Sequence, residues 1–277
     1  MRDYITSVIN KNLSPEDNLN RLREYVQAYF LYVIYRKKYY QNMVFTGGTA
    51  LRFIHGIRRF SEDLDFSLSA HAREFYFLEM MKDIEQEFRL AGYTVEVKHK
   101  TKGAVCNALL KFSQILFETG LSPLKDEKFS IKVEIDTNPH QGGIETNTLY
   151  NSTFMFYMLH YDLASLFAGK MHALLCREYT KGRDWYDLMW YLTKFKAIEP
   201  NYIMLNNAMA QTHKNPLQLT RENWKTEIKK VVEALDWEKV RNDVGRFLED
   251  QGELKLLESS AFLNLLKVDD IMPGITK

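Results

Sequence analysis

The chain has 277 residues, 45% of them hydrophobic and 26% charged, with a formal net charge of +1. That balance supports a sizeable core in one large domain or two smaller ones and argues against wholesale disorder. It gives no global pull toward nucleic acid or membrane, so an anionic partner would be held by local patches such as Arg58-Arg59 or "KHKTK", Lys98 to Lys102. Solvated edge residues are the ordinary reading of runs this short. Two distant cysteines, Cys106 and Cys176, and no CxxC argue against a zinc knuckle or a disulfide framework and fit a reducing compartment. "MRDYITSVIN" has no apolar core of signal-peptide length, and no run approaches the roughly 18 apolar residues of a membrane span, so the expectation is a soluble, cytoplasmic protein.

In chain order, residues 14–40 read as a helix, with Ser14 and Pro15 suited to its start and Leu19, Leu22, Val26, Tyr29 and Val33 at helical spacing. "MVFT" reads as a strand ending at Gly47-Gly48. Thr49 is then the expected N-cap of a short helix, "ALRFIHGI". "LDFSL" alternates as a strand, residues 72–91 form an amphipathic helix stopped by Gly92, and "YTVEVKH", "AVCNALLKF" and "FSIKVEIDT" read as further strands. Asn138-Pro139 ends the last of these. Beyond "HQGG", residues 160–195 and 222–268 have helical spacing. The expected architecture is α+β: a mixed sheet with flanking helices over residues 1–145, then a helical domain over 146–277.

In a strand alternate side chains face the same way. Asp63, Asp65 and Ser67 therefore share one face, and Leu64, Phe66 and Leu68 take the other. Two carboxylates so close repel one another and resist desolvation, a conflict that a divalent cation removes. Mg²⁺ suits a few carboxylates together with substrate phosphates. "IKVEID" repeats the device, with Lys132, Glu134 and Asp136 on one face. Glu134 is the preferred third carboxylate and Asp136 the alternative. Gly47 and Gly48 let backbone N–H groups approach a ligand, and the helix start behind them favours phosphate. Thr49 could cap or donate to a phosphate oxygen, and Arg52 lies one turn further in. The seven histidines show no HExxH spacing, and there is no Walker A sequence and no GxGxxG.

Gly-Gly-Thr, a short helix and Asp-x-Asp on a strand resemble the nucleotidyltransferase superfamily that includes DNA polymerase β. The fuller string "FTGGTALRF…RRFSEDLDFSL", with "GKMHALLCR" and "GRDWYDLMWYL" later in the chain, resembles the AbiEii/AbiGii toxin family, related to the mycobacterial MenT group. The resemblance spans about residues 40–195. It implies a catalytic set of Ser61, Asp63, Asp65, Lys170 and Asp184, with Glu134. Asp63, Asp65 and Glu134 would hold Mg²⁺ or Mn²⁺, and Gly47, Gly48, Thr49, Arg52 and Arg177 would hold the nucleoside triphosphate. It also implies a helical domain that completes the cleft, transfer to an acceptor hydroxyl such as the transfer-RNA 3′ end, and a cognate antitoxin. A small molecule or a protein side chain as acceptor, and an inactive nucleotide-binding module, are the alternatives.

The residues around Lys170 can be read without the resemblance. Lys170 lies on the apolar stripe of Leu163, Leu166, Phe167, Met171 and Leu174. It should therefore meet a carboxylate or a phosphate, and Arg177 points the same way. Asp184 also suits the N-cap of "WYDLMWYL", and Asp187 would then accept hydrogen bonds from Arg183 or Arg177.

Overall fold

A computed structural model describes residues 2–72, 74–195 and 197–267. Helices α1 (Arg2–Val8) and α2 (Pro15–Arg36) come first. Strand β1 (Met43–Thr46), helix α3 (Gly47–His55), strand β2 (Leu64–Leu68) and helix α4 (Phe77–Leu90) follow. Next are β3 (Thr94–Lys100), β4 (Val105–Ser113), the short α5 (Ile115–Glu118), β5 (Phe129–Asp136), β6 (Glu145–Asn151) and β7 (Met155–Tyr161). The rest is helical: α6 (Leu163–Cys176), α7 (Gly182–Lys194), α8 (Tyr202–Thr212), α9 (Trp224–Ala234), α10 (Trp237–Val244) and α11 (Ser259–Lys267). No helix among the described residues is long and apolar enough to cross a membrane.

The chain forms two compact units, the first being Met1–Pro139 with Glu145–Tyr161 and the second His140–Ile144 with Asp162–Lys277. The expected boundary near 145 therefore moves, because β6 and β7 join the sheet. β6, "ETNTLYN", is polar at most positions and mostly exposed, so it lacks the apolar alternation that marks a strand in sequence.

In the first unit the seven strands run in the order β3-β4-β5-β2-β1-β7-β6. β2 lies antiparallel to β1 and parallel to β5, and β1 lies parallel to β7. One sheet face is apolar: Leu64, Phe66, Ala108, Leu110, Ile131, Val133 and Ile135 are buried. Phe66 stacks on Phe45 at 5.1 Å and meets Phe30 of α2 at 6.3 Å. From Tyr25 to Leu31 every residue of α2 is buried, as expected of a helix with apolar side chains all round. Ser14 caps it by accepting from the Asp17 N–H at 3.0 Å. The opposite sheet face is polar, half-exposed, and carries the carboxylates. Lys98, His99 and Lys100 lie exposed on the edge strand β3, where charge discourages strand addition.

In the second unit α6 packs against α7, α8 and α9. Phe167 stacks on Tyr191 at 4.3 Å, and Trp185, Trp237 and Phe262 form a second aromatic cluster. The segment 140–144 is stitched here: Asn201 Nδ2 donates to Gly142 O at 2.7 Å, and the Ile144 N–H to Ser165 Oγ at 3.0 Å.

Candidate active site

The parallel pairing of β2 with β5 sets Asp65 opposite Glu134 and Ser67 opposite Asp136. The expected juxtaposition of the two acidic strands is thus present, with Glu134 the register partner of Asp65. Asp136 accepts from the Asn138 N–H at 2.9 Å, which ties it to the turn after β5. Lys132 lies on this same face and pairs with Glu134 at 2.8 Å. Burial works against the charge of Lys132, but the bond to Glu134 and the fields of Glu134, Asp63 and Asp65 outweigh it and raise its pKa above the usual lysine value. A side-chain cation therefore already sits in the field of all three carboxylates. Among the described residues no group of three His, Cys, Asp or Glu side chains is gathered tightly enough to hold an ion. A Mg²⁺ ion here would rest on Asp63 and Asp65 with phosphate oxygens and water, an ordinary donor set for that ion.

The glycine turn is built around these side chains. Gly47 adopts a left-handed φ of +72°, and a Cβ there would run into Asp65 Oδ2. A Cβ on Gly48 would lie 2.6 Å from Arg59 Nη2 and 3.1 Å from Ser61 Oγ. The expected N-cap role of Thr49 falls instead to Thr46, because α3 starts at Gly47. Thr49 sits inside the first turn, fully buried, with its hydroxyl donating to the Asp63 carbonyl. Its hydroxyl therefore ties the turn to the aspartate segment.

Arg52 is engaged away from the turn. Its guanidinium pairs with Glu24 at 2.9 Å, donates to Ile57 O at 3.0 Å and lies 4.7 Å from the Phe60 ring centre. Arg59 is the guanidinium beside Gly48, and at 1% exposure it is not the surface phosphate contact that the Arg58-Arg59 doublet suggests. Gln27, also 1% exposed, donates its side-chain amide to Ser61 O at 3.1 Å and Glu62 O at 2.9 Å. The sequence offers Arg59 only as part of a surface patch with Arg58, and it does not point to Gln27. Their signals were a polar residue inside the apolar run "YVQAYFLYVI" and an arginine doublet of which one member must turn inward.

The second unit holds its own charged cluster. Lys170 Nζ meets Asp184 Oδ1 at 2.9 Å and Asp187 Oδ2 at 2.8 Å, and Arg177 pairs with Asp184 Oδ2. The lysine on an apolar stripe thus reaches carboxylates, as its burial requires. Burial pushes the Asp184 carboxyl up, but Lys170 and Arg177 beside it hold the pKa down to about 2. Asp184 is not an N-cap. α7 begins at Gly182 with Lys181 at the cap, so Asp184 lies in the first turn. Asp187 pairs with Lys170, and Arg183 lies 4.2 Å from the Phe247 ring centre. A hollow of about 90 Å³ beside the cluster is lined by Arg177, Lys181, Asp184, Tyr179 and Trp185 among others.

A sequence model of one protein family, described as "Nucleotidyl transferase AbiEii toxin, Type IV TA system", matches residues 29–268. No curated protein sequence matches the chain. Among solved structures, the crystal structure of a candidate nucleotidyltransferase from H. pylori is similar at a TM-score of 0.54 and 15% identity, covering 96% of this chain and 100% of that one. JHP933 from Helicobacter pylori is similar at 0.51 and 16% identity, covering 89% of this chain and 93% of that one. At such identities the likeness speaks to the fold alone.

Proposed function

The chain belongs to the AbiEii family of nucleotidyltransferase toxins of type IV toxin–antitoxin systems, and from that premise we propose how its residues carry out nucleotidyl transfer. The substrate is a nucleoside triphosphate, the acceptor is an RNA hydroxyl, and the transfer-RNA 3′ end is the favoured target. The observation that carries this reading is the facing of Asp65 and Glu134 across β2 and β5, beside a glycine turn shaped around Asp65.

Backbone N–H groups at the start of α3 hold the distal phosphates. Asp63 and Asp65, with Glu134 alongside, would hold Mg²⁺, which supplies charge stabilisation for the attacking and leaving oxygens of an in-line displacement. Glu134 receives the proton of the acceptor hydroxyl as that oxygen attacks the α-phosphorus and pyrophosphate leaves. Thr49 and Gln27 hold the 61–63 segment in place through its carbonyls. Within the second unit Asp184 and Asp187 orient Lys170, and Arg177 steadies Asp184.

The test incubates the protein with Mg²⁺, each labelled nucleoside triphosphate in turn, and total transfer RNA or cell extract. Label in RNA is the expected result. Label in protein or a small molecule would replace the acceptor, and nucleotide binding without transfer would remove the enzymatic reading. Asp63→Ala and Asp65→Ala should each abolish transfer while circular dichroism and melting temperature stay near those of the parent. Transfer surviving in both variants would overturn the site.

A further inference from the structure

The mechanism above gives Arg59 no part, yet among the described residues it is the one lysine or arginine that is fully buried. A guanidinium keeps its charge at any ordinary pH and is costly to take out of water. Nη1 donates to the carbonyl of Phe60 at 3.0 Å. Nη2 lies 2.6 Å, Nη1 3.2 Å and Ser61 Oγ 3.1 Å from where a Cβ on Gly48 would stand.

The two glycines of the turn thus answer to different neighbours. Gly47 has a left-handed φ and makes room for Asp65. Gly48 has no positive φ, so its backbone would accept alanine, and what excludes a side chain there is Arg59 with Ser61.

We infer that Arg59 is a positioning residue for nucleotidyl transfer, its buried guanidinium setting the Gly48 turn against Ser61 so that turn and aspartates keep one fixed spacing. The inference rests on the reading of this face as the nucleotide site. Misplacement of a turn by about 1 Å can cost on the order of 10²-fold in rate. Gly48 and Arg59 then act as one unit, and their substitutions are non-additive.

The experiment is a double-mutant cycle of Gly48→Ala and Arg59→Met, with Arg59→Lys as the conservative variant and Asp63→Ala as the control. Label transfer in Mg²⁺ gives kcat and KM for the triphosphate, and melting temperature reports the folded fraction. Each single change should lower kcat by on the order of 10²-fold and raise KM for the triphosphate. The double variant should be no worse than Arg59→Met alone, and Arg59→Lys, lacking the planar fork, should recover little. The same cycle is read independently as the melting-temperature shift produced by Mg²⁺ with inorganic pyrophosphate, where both single variants should lose most of the shift. Additive losses would return Gly48 to phosphate approach and overturn the inference. So would wild-type kcat and an intact pyrophosphate shift in Arg59→Met, or losses that only follow the folded fraction. Transfer retained by Asp63→Ala would defeat the site reading itself, whereas loss in Asp63→Ala with none in Arg59→Met would defeat this inference alone.

Discussion

Asp184 is a buried carboxylate kept ionised by Lys170 and Arg177, and that arrangement ties stability to pH. Its pKa falls from an ordinary 3.8 to about 2 on folding. Because the folded value is the lower one, the stabilisation is complete above about pH 4 and is lost as pH falls through about 2. It amounts to about 2 kcal/mol. Urea unfolding between pH 5 and 2 should therefore show a flatter stability profile in Asp184→Asn than in the parent, and an unchanged slope would remove the assignment. At this scale the facing of Asp65 and Glu134 was legible because strand alternation fixes which side chains share a face. Arg52 and Arg59 were not legible. Spacing along a chain does not say which of two arginines turns toward a ring and a glutamate and which turns inward to a glycine.

At the level of elements, α2 does more than cover the sheet. Gln27 is its polar insertion, and its amide holds the carbonyls of Ser61 and Glu62 just ahead of the aspartates. Gln27→Leu keeps the bulk and strands two acceptors, so stability should fall by about 1–3 kcal/mol in urea titration. Transfer measured per folded molecule should fall as well. Full activity in the folded fraction would reduce Gln27 to a core residue. Helices α2, α4, α6 and α7 and strands β1 to β5 could be read from periodicity and stops. Strands β6 and β7 could not: β6 is a polar edge strand, and β7, "MFYMLHY", is apolar at nearly every position and so carries no distinguishing period.

Those two strands decide how the whole chain is put together. β7 supplies the second edge of β1, with Phe45 opposite His160. A fragment ending at residue 145 leaves that edge bare, whereas one ending at 161 pairs it. Light scattering should show the shorter fragment aggregating and the longer one much less, and equal behaviour would mean β1 tolerates the open edge. The chain thus visits the second unit briefly at 140–144 before returning to finish the first. Seen in time rather than space, β1 ends at Thr46 but its parallel partner is complete only at Tyr161. At 5–20 residues per second of synthesis, that interval lasts roughly 6–23 s. Both strands of the β2–β5 pair that carries the carboxylates are synthesised within that interval, ahead of the strand that closes the second edge of β1.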